Sequence, residues 1–191
     1  MRLISIFCFA ALASCASSGG KPSAHDAFFA ALAERCGKAY EGRLVTTDAA
    51  DADMAGARLV MEVRSCTADE IRIPFHVGED HSRTWVVSRT GEGLRLKHDH
   101  RHEDGSSDVL TLYGGDTAGP GSATRQEFPA DAYSKEMFIR EGRAVSVDNV
   151  WAIEIDDARF AYELKRPNRF FRVEFDVTRP VEIPPAPWGV Q

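Results

Sequence analysis

Two short segments near the end of the chain, 160–164 and 171–175, carry a large apolar residue at every second position. Successive side chains of a β-strand point to opposite faces, so each segment places its apolar residues on one face. The intervening Pro167 and Asn168 are typical of a tight turn. The pattern therefore predicts an antiparallel hairpin with one apolar and one polar face.

Period-two patterning continues through much of the chain. Segments rich in Val, Ile, Phe, Tyr and Trp are separated by Gly, Asp, Asn and Ser, which is the pattern of strands joined by turns. The predicted strands are 44–47, 59–65, 70–77, 84–90, 94–100, 109–113, 124–128, 147–155, 160–164 and 170–177. About nine or ten short antiparallel strands predict a mainly β fold, either a barrel or a two-sheet sandwich. The architecture is similar to the lipocalin-like barrels at the level of fold alone.

One helix is predicted before the first strand, over residues 25–40. Phe28, Leu32 and Cys36 recur at a spacing of four, which places them on one helical face. Gly37 is suited to the helix end. A helix in this position is compatible with a plug at one end of a barrel. The proline-rich tail, 180–188, is predicted to be extended and outside any strand ladder.

The first 14 residues have the form of a secretory signal peptide. Arg2 is followed by an uncharged apolar run over 3–13, which is too short for a membrane-spanning helix of about 20 residues. The run ends in Leu12-Ala13-Ser14-Cys15, which resembles the bacterial lipobox. The predicted organisation is a signal peptide over 1–14, a lipidated tether over 15–23 and a single β-rich domain over 24–191.

The lipobox resemblance implies that Cys15 is lipidated and becomes the first residue of the mature protein. Ala16, rather than Asp, follows this cysteine, which by the same resemblance favours the bacterial outer membrane. The folded domain would then lie in the periplasm or at the cell surface, with the membrane as a partner through the lipid. The alternative is a general secretory signal cut near Ala13 or Ala16, which would leave Cys15 unmodified or removed.

The remaining cysteines are predicted to form a disulfide. Cys8 lies in the cleaved segment and Cys15 is the lipid site, so Cys36 and Cys66 remain as a pair in an oxidising compartment. Two unpaired redox thiols are the alternative, although the chain has no Cys-x-x-Cys motif. The overall charge of −6 at pH 7 disfavours a nucleic-acid partner, because phosphate contacts need a basic surface.

A histidine-rich strand is the one segment that suggests metal chemistry. His98, His100 and His102 alternate with charged residues, so a strand would place all three on one face. Three imidazoles with water form an open site for zinc or copper. A solvated hairpin end is the alternative, because the run leads into an Asp-Gly turn at 104–105.

A second polar group lies at a predicted strand–loop–strand junction. His76, His81 and Arg83 are candidates for a ligand-pocket mouth, with a surface loop as the alternative. No catalytic residue and no cofactor is predicted. The sequence is interpreted as a non-enzymatic, lipid-anchored envelope protein that binds a small molecule or another envelope protein. The alternative is a metal-binding protein or metalloenzyme that uses the histidine strand.

Overall fold

The computed structural model describes residues 21–190. Eleven antiparallel strands form a single, nearly closed barrel sheet, which confirms the mainly β prediction and favours the barrel over the sandwich. The strands are β1 (Lys38–Leu44), β2 (Leu59–Val63), β3 (Ser65–Cys66), β4 (Glu70–Val77), β5 (Asp80–Arg89), β6 (Leu94–His100), β7 (Tyr113–Asp116), β8 (Arg125–Pro129), β9 (Val150–Ile155), β10 (Arg159–Arg166) and β11 (Arg169–Val181). Ten of them follow the order β7-β6-β5-β4-β2-β1-β11-β10-β9-β8, and β3 pairs with β4.

The predicted hairpin is formed by β10 and β11. Phe160 pairs with Phe175, and Leu164 pairs with Phe171, so the apolar residues of both strands share the inner face. The two-residue turn has Asn168 at a φ of 59°, a conformation that asparagine tolerates better than most residues. The alternation seen in the sequence therefore corresponds to the inside and outside of the barrel.

Ion pairs cover the outer face of the strands from β8 to β11. Arg172 contacts Glu154 at 2.8 Å and also contacts Glu163, while Arg125 contacts Glu163 at 2.7 Å. Such opposite-charge neighbours on adjacent strands stabilise a sheet modestly. They also account for the burial of Glu163, which is 8% exposed.

The barrel closes at a seam between β7 and β8. The backbone N–H of Asp131, just after β8, donates to the Gly114 carbonyl at 2.9 Å. The Ser134 hydroxyl accepts from the Gly114 N–H at 2.8 Å and donates to its carbonyl at 2.9 Å. A Cβ on Gly115 would overlap the carbonyl oxygen of Pro129. Glycine therefore permits the close backbone approach that seals the barrel.

Helix α1 (Ala24–Ala33) closes one end of the barrel. It buries Phe28, Phe29 and Leu32 in the core, and Ser23 caps its first turn. Asp26 pairs with Arg89 at the end of β5, which places the helix beside the β5–β6 turn. The predicted N-terminal helix is thus present, but it ends earlier than Tyr40. Gly37, at a φ of 74°, reverses the chain and residues 38–40 begin β1.

The Cys36–Cys66 disulfide is present, as predicted. It joins the turn after α1 to β3 across a sequence separation of 30 residues. In the chain-entropy model, a crosslink closing a loop of this length stabilises the folded state by about 3.6 kcal/mol. The bridge therefore fastens the end-closing helix to the wall of the barrel.

Two further helices were not predicted. α2 (Ala52–Ala55) follows a short 3₁₀ turn, Ala49–Asp51, and α3 (Ala132–Arg140) follows β8. The Asp131 side chain caps α3 by accepting from the Ser134 N–H. The α3 residues Met137 and Phe138 are buried in the core. Among residues 21–190, no helix has both the length and the apolar character needed to cross a membrane.

Three predicted segments were placed wrongly. The segment 44–47 lies mostly after β1, and 109–112 precedes β7, whose strand residues include Gly114 and Gly115. The tail prediction was wrong at Pro180, which is paired with Tyr40 within β11. Beyond Asp176, β11 pairs with β1 on one side and has no strand on the other. Pro180 is tolerated there because its missing N–H falls on the unpaired side.

Candidate functional site

A cavity of about 150 Å³ opens at the end of the barrel away from α1. The cavity walls come from the strand ends nearest the β4–β5 and β10–β11 turns and from the segment before β2. Helix α1 lies beside the β5–β6 turn, at the other end of these strands. The lining residues are Asp51, Met54, Phe75, Arg83, Trp85, His98, His100, Tyr113, Tyr162, Leu164, Arg169 and Phe171. The rest of the barrel interior is occupied by a continuous cluster of buried apolar side chains.

Aromatic rings form the deep walls of the cavity. Trp85 stacks on Phe75 with ring centroids 4.8 Å apart and on Tyr162 with centroids 4.4 Å apart. Phe171 meets Tyr162 edge-on at 6.1 Å. These strands place the rings inward because the residues occupy alternate, core-facing positions of β4, β5, β10 and β11. The walls are therefore flat, rigid and apolar.

His98 lies at the base of the cavity and is only 2% exposed. Its Nδ1 lies 3.0 Å from the Tyr113 carbonyl oxygen, and its Nε2 lies 2.7 Å from the Tyr162 hydroxyl. A carbonyl can only accept, so Nδ1 carries the proton and Nε2 accepts from Tyr162. Burial lowers the pKa of His98 to about 3, with His100 adding to the effect, so the ring is neutral at pH 7.

His100 and Tyr113 form a second polar pair nearer the opening. The Tyr113 hydroxyl lies 3.1 Å from His100 Nε2, and the His100 ring centroid lies 5.4 Å from that of Tyr113. Burial, with a contribution from the charge on Arg83, lowers the pKa of His100 to about 4. Burial also raises the pKa of the Tyr113 and Tyr162 hydroxyls well above their usual value. All four side chains are neutral near pH 7.

Arg83 brings a positive charge to the cavity. One of its terminal nitrogens donates to Asp80 Oδ2 at 2.6 Å, and its side chain remains 26% exposed. Asp80 also accepts from the Ser82 N–H at 2.9 Å and does not line the cavity. The carboxylate therefore holds one nitrogen of the guanidinium, while the Arg83 side chain lines the cavity.

A second arginine closes the rim. Arg169, at the start of β11, contacts both oxygens of Asp51, one of them at 2.8 Å, and lies 3.2 Å from Asp48. Asp51 belongs to the 3₁₀ turn before α2, and Met54 of α2 also lines the cavity. The ion pair thus ties the short helical segment over the opening. The single positive charge of Arg169 thus faces two carboxylates, those of Asp48 and Asp51.

The histidine strand is only partly assembled at this cavity. His98 and His100 both line it, but β6 ends at His100, and His102 is 57% exposed beyond the strand, 4.0 Å from Asp108. Both ring nitrogens of His98 are already hydrogen-bonded. Within residues 21–190, no three His, Cys, Asp or Glu side chains are grouped in a way that could hold a metal ion. The proposed zinc or copper site stays a prediction.

The predicted pocket mouth is divided between two faces of the sheet. Arg83 lines the interior cavity, whereas His76 and His81 lie on the outside, 4.6 Å apart between ring centroids. The C-terminal segment, residues 182–190, lies beside them and helps to line a separate depression of about 300 Å³. Trp188 packs beside His81, with ring centroids 6.5 Å apart, and the Trp188 backbone N–H donates to the His81 carbonyl at 3.1 Å.

His76 is an unusual buried group. It is 3% exposed, and neither ring nitrogen has a hydrogen-bond partner within residues 21–190. Burial lowers its pKa to about 4, and the neighbouring His81 and Arg64 act in the same direction, while Asp80 opposes them. A buried imidazole without partners costs stability, and it costs more when it is protonated.

Sequence reasoning found Arg83, His98 and His100 but missed most of the cavity wall. Tyr113 and Tyr162 gave no separate signal, because an aromatic residue on a strand is expected in any barrel core. Arg169 gave none either, because a charged residue beside the predicted turn at Pro167 and Asn168 is ordinary. Asp51 and Met54 lie in a segment that was not assigned to any element. The Asp48 N-cap, which accepts from the Ala50 N–H at 2.9 Å, was the available signal for the short helical turn.

Comparison of the chain with protein-family models, curated proteins and solved structures gives no significant match. The predicted signal peptide and the predicted lipidation site Cys15 lie outside the described residues, as does most of the predicted tether. The geometry and chemistry of the barrel cavity are therefore the basis for the functional proposal.

Proposed function

We propose that this chain is a lipid-anchored envelope protein whose barrel binds a small organic ligand in the cavity at its open end. The observation that carries the proposal is the cavity itself, which combines rigid aromatic walls with a few convergent polar groups. Concave, largely apolar sites with a small number of placed polar groups are typical of small-molecule binding. A filled barrel end would not offer such a site.

The anchor is proposed from the N-terminal sequence. Lipidation of Cys15 would attach the chain to a bilayer, and its acyl chains would contribute about 0.8 kcal/mol per buried methylene. The outer membrane remains the proposed location. Signal-peptidase inhibition by globomycin, or Cys15→Ser, is expected to block maturation, whereas normal processing in both cases would contradict the anchor.

Binding rather than catalysis is proposed because the polar groups of the cavity are poor proton-transfer groups near pH 7. General acid–base catalysis works best when the pKa of the group lies near the working pH. The pKa values of His98 and His100 lie near 3 and 4, and those of the two tyrosines are raised. These groups are instead arranged to hydrogen-bond a ligand in a fixed orientation.

The proposal is tested by titrating small aromatic probes, phenol and indole, into the mature domain. NMR signals of the Trp85 indole should shift saturably, because its ring forms the cavity wall. Leu164→Phe should abolish the shifts by filling the space that Leu164 borders. Ile139→Phe is the matched control, since Ile139 is 64% exposed on α3. If neither probe shifts Trp85 saturably, or if Leu164→Phe leaves binding intact, the proposal is wrong.

A further inference from the structure

The cavity contains one cation whose hydrogen-bonding capacity is only partly used. A guanidinium offers five N–H donors, and Arg83 donates through a single nitrogen to Asp80. Its Nε and its second terminal nitrogen have no acceptor within residues 21–190. These two nitrogens lie on one edge of the guanidinium, which matches the two oxygens of a carboxylate.

The other charged groups at the opening do not compete for this role. Arg169 is paired through both terminal nitrogens with two carboxylates, Asp51 and Asp48, whereas Arg83 is paired through one nitrogen with Asp80 alone. His98 and His100 are neutral near pH 7, because burial disfavours their charged forms. Arg83 is consequently the group on which an anionic ligand would be recognised.

The shape of the cavity limits the rest of the ligand. A volume of about 150 Å³ is comparable to cavities that hold a single benzene-sized molecule. Trp85 and Tyr162 stack on each other with centroids 4.4 Å apart and an interplanar angle of 19°, so a ligand packs beside this stack and not between the two rings. Flat aromatic walls favour a planar ring through offset or edge-to-face contacts. An aliphatic ligand would not use this geometry.

We propose that the ligand is an aromatic monocarboxylate of benzoate size, with its ring against the aromatic walls and its carboxylate on Arg83. This inference rests on the proposed function and specifies its ligand class. Asp80 has a positioning role, because its carboxylate holds one terminal nitrogen of the guanidinium and does not itself line the cavity. The neutral His100 imidazole lies beside the same opening and does not repel an anion.

The test compares three probes of similar size on the mature domain: benzoate, neutral benzamide and cationic benzylamine. We expect benzoate to bind at least about 10-fold more tightly than benzamide, because charge-assisted hydrogen bonds are stronger than neutral ones. Benzylamine should bind most weakly. The preference for benzoate should decline with added salt, since it depends on an ion pair.

Arg83→Gln should remove the preference for benzoate and leave benzamide affinity within about threefold. Arg95→Gln is the matched control, because Arg95 pairs with Asp116 through an exposed side chain and does not line the cavity. Equal or tighter binding of benzamide by the unaltered protein would overturn the carboxylate inference while leaving small-ligand binding intact. This comparison is made on the unaltered protein, so it can be decided even if Arg83→Gln fails to fold. If none of the probes binds, including phenol and indole, the proposed function itself is contradicted.

Discussion

The Tyr162–His98 hydrogen bond offers a direct test of how the cavity base is built. Tyr162 donates to His98 Nε2 at 2.7 Å, and both side chains are buried. Tyr162→Phe would remove the hydroxyl with little change of shape and leave Nε2 as a buried acceptor without a donor. The imidazole cannot regain the bond by protonation, because its pKa of about 3 keeps it neutral.

The expected loss follows from the penalty for a buried, unpaired polar group. That penalty is about 1–3 kcal/mol, larger than the net value of an ordinary hydrogen bond. For a domain of this size, 1 kcal/mol corresponds to about 2–4 °C in Tm. A loss of about 2 kcal/mol would therefore lower the Tm by about 4–8 °C.

Urea and thermal unfolding of Tyr162→Phe measure this loss. Tyr133→Phe is the matched control, since Tyr133 is 50% exposed and its hydroxyl reaches the Thr111 carbonyl only at 3.5 Å. A Tyr162→Phe protein as stable as the control would refute the hydrogen-bonded cavity base.

Three further predictions concern the frame of the barrel and use equilibrium unfolding. Replacing Cys36 and Cys66 together by serine should cost about 3.6 kcal/mol on the chain-entropy model, and an unchanged urea midpoint would contradict a stabilising bridge. Gly115→Ala should lower the free energy of unfolding by at least about 2 kcal/mol, because the added Cβ would overlap the seam. Gly91→Ala is the control and should cost far less, because no atom lies within 4 Å of a Cβ added there. Equal losses of stability in the two variants would exclude the seam contact. His76 has a lowered pKa of about 4 in the folded state, so the unfolded chain binds more protons and stability falls as the pH drops from about 6.5 to 4. His76→Phe should reduce that slope by up to about 1.4 kcal/mol per pH unit, and parallel slopes would show that His76 does not titrate differently on folding.

Local patterns predicted the secondary structure well where burial follows the period of the element. The β4 and β6 segments were predicted with the bounds that the structure has, because alternating burial is visible in their residues. The strand β7 was displaced in the prediction because its glycines look like loop residues. Those glycines are needed where β7 approaches β8, and that approach involves residues distant in the chain.

The candidate site was predicted in fragments. His98 and His100 were placed on one face of a strand, and both line the cavity. Arg83 was grouped with His76 and His81, yet the sheet places it on the opposite face from that pair. Residue spacing alone did not predict this separation, because β4 and β5 carry a register irregularity near Phe75 and Val77.

The sequence by itself determined the β-rich character of the chain, the hairpin of β10 and β11, and the pairing of Cys36 with Cys66. These depend on short-range periodicity and on the number of cysteines left after the N-terminal segment. The tertiary structure alone decided barrel rather than sandwich, and it alone created the cavity. The reason is physical: Arg83, His98 and Tyr162 come from separate strands, and only closure of the sheet brings their side chains into one buried space.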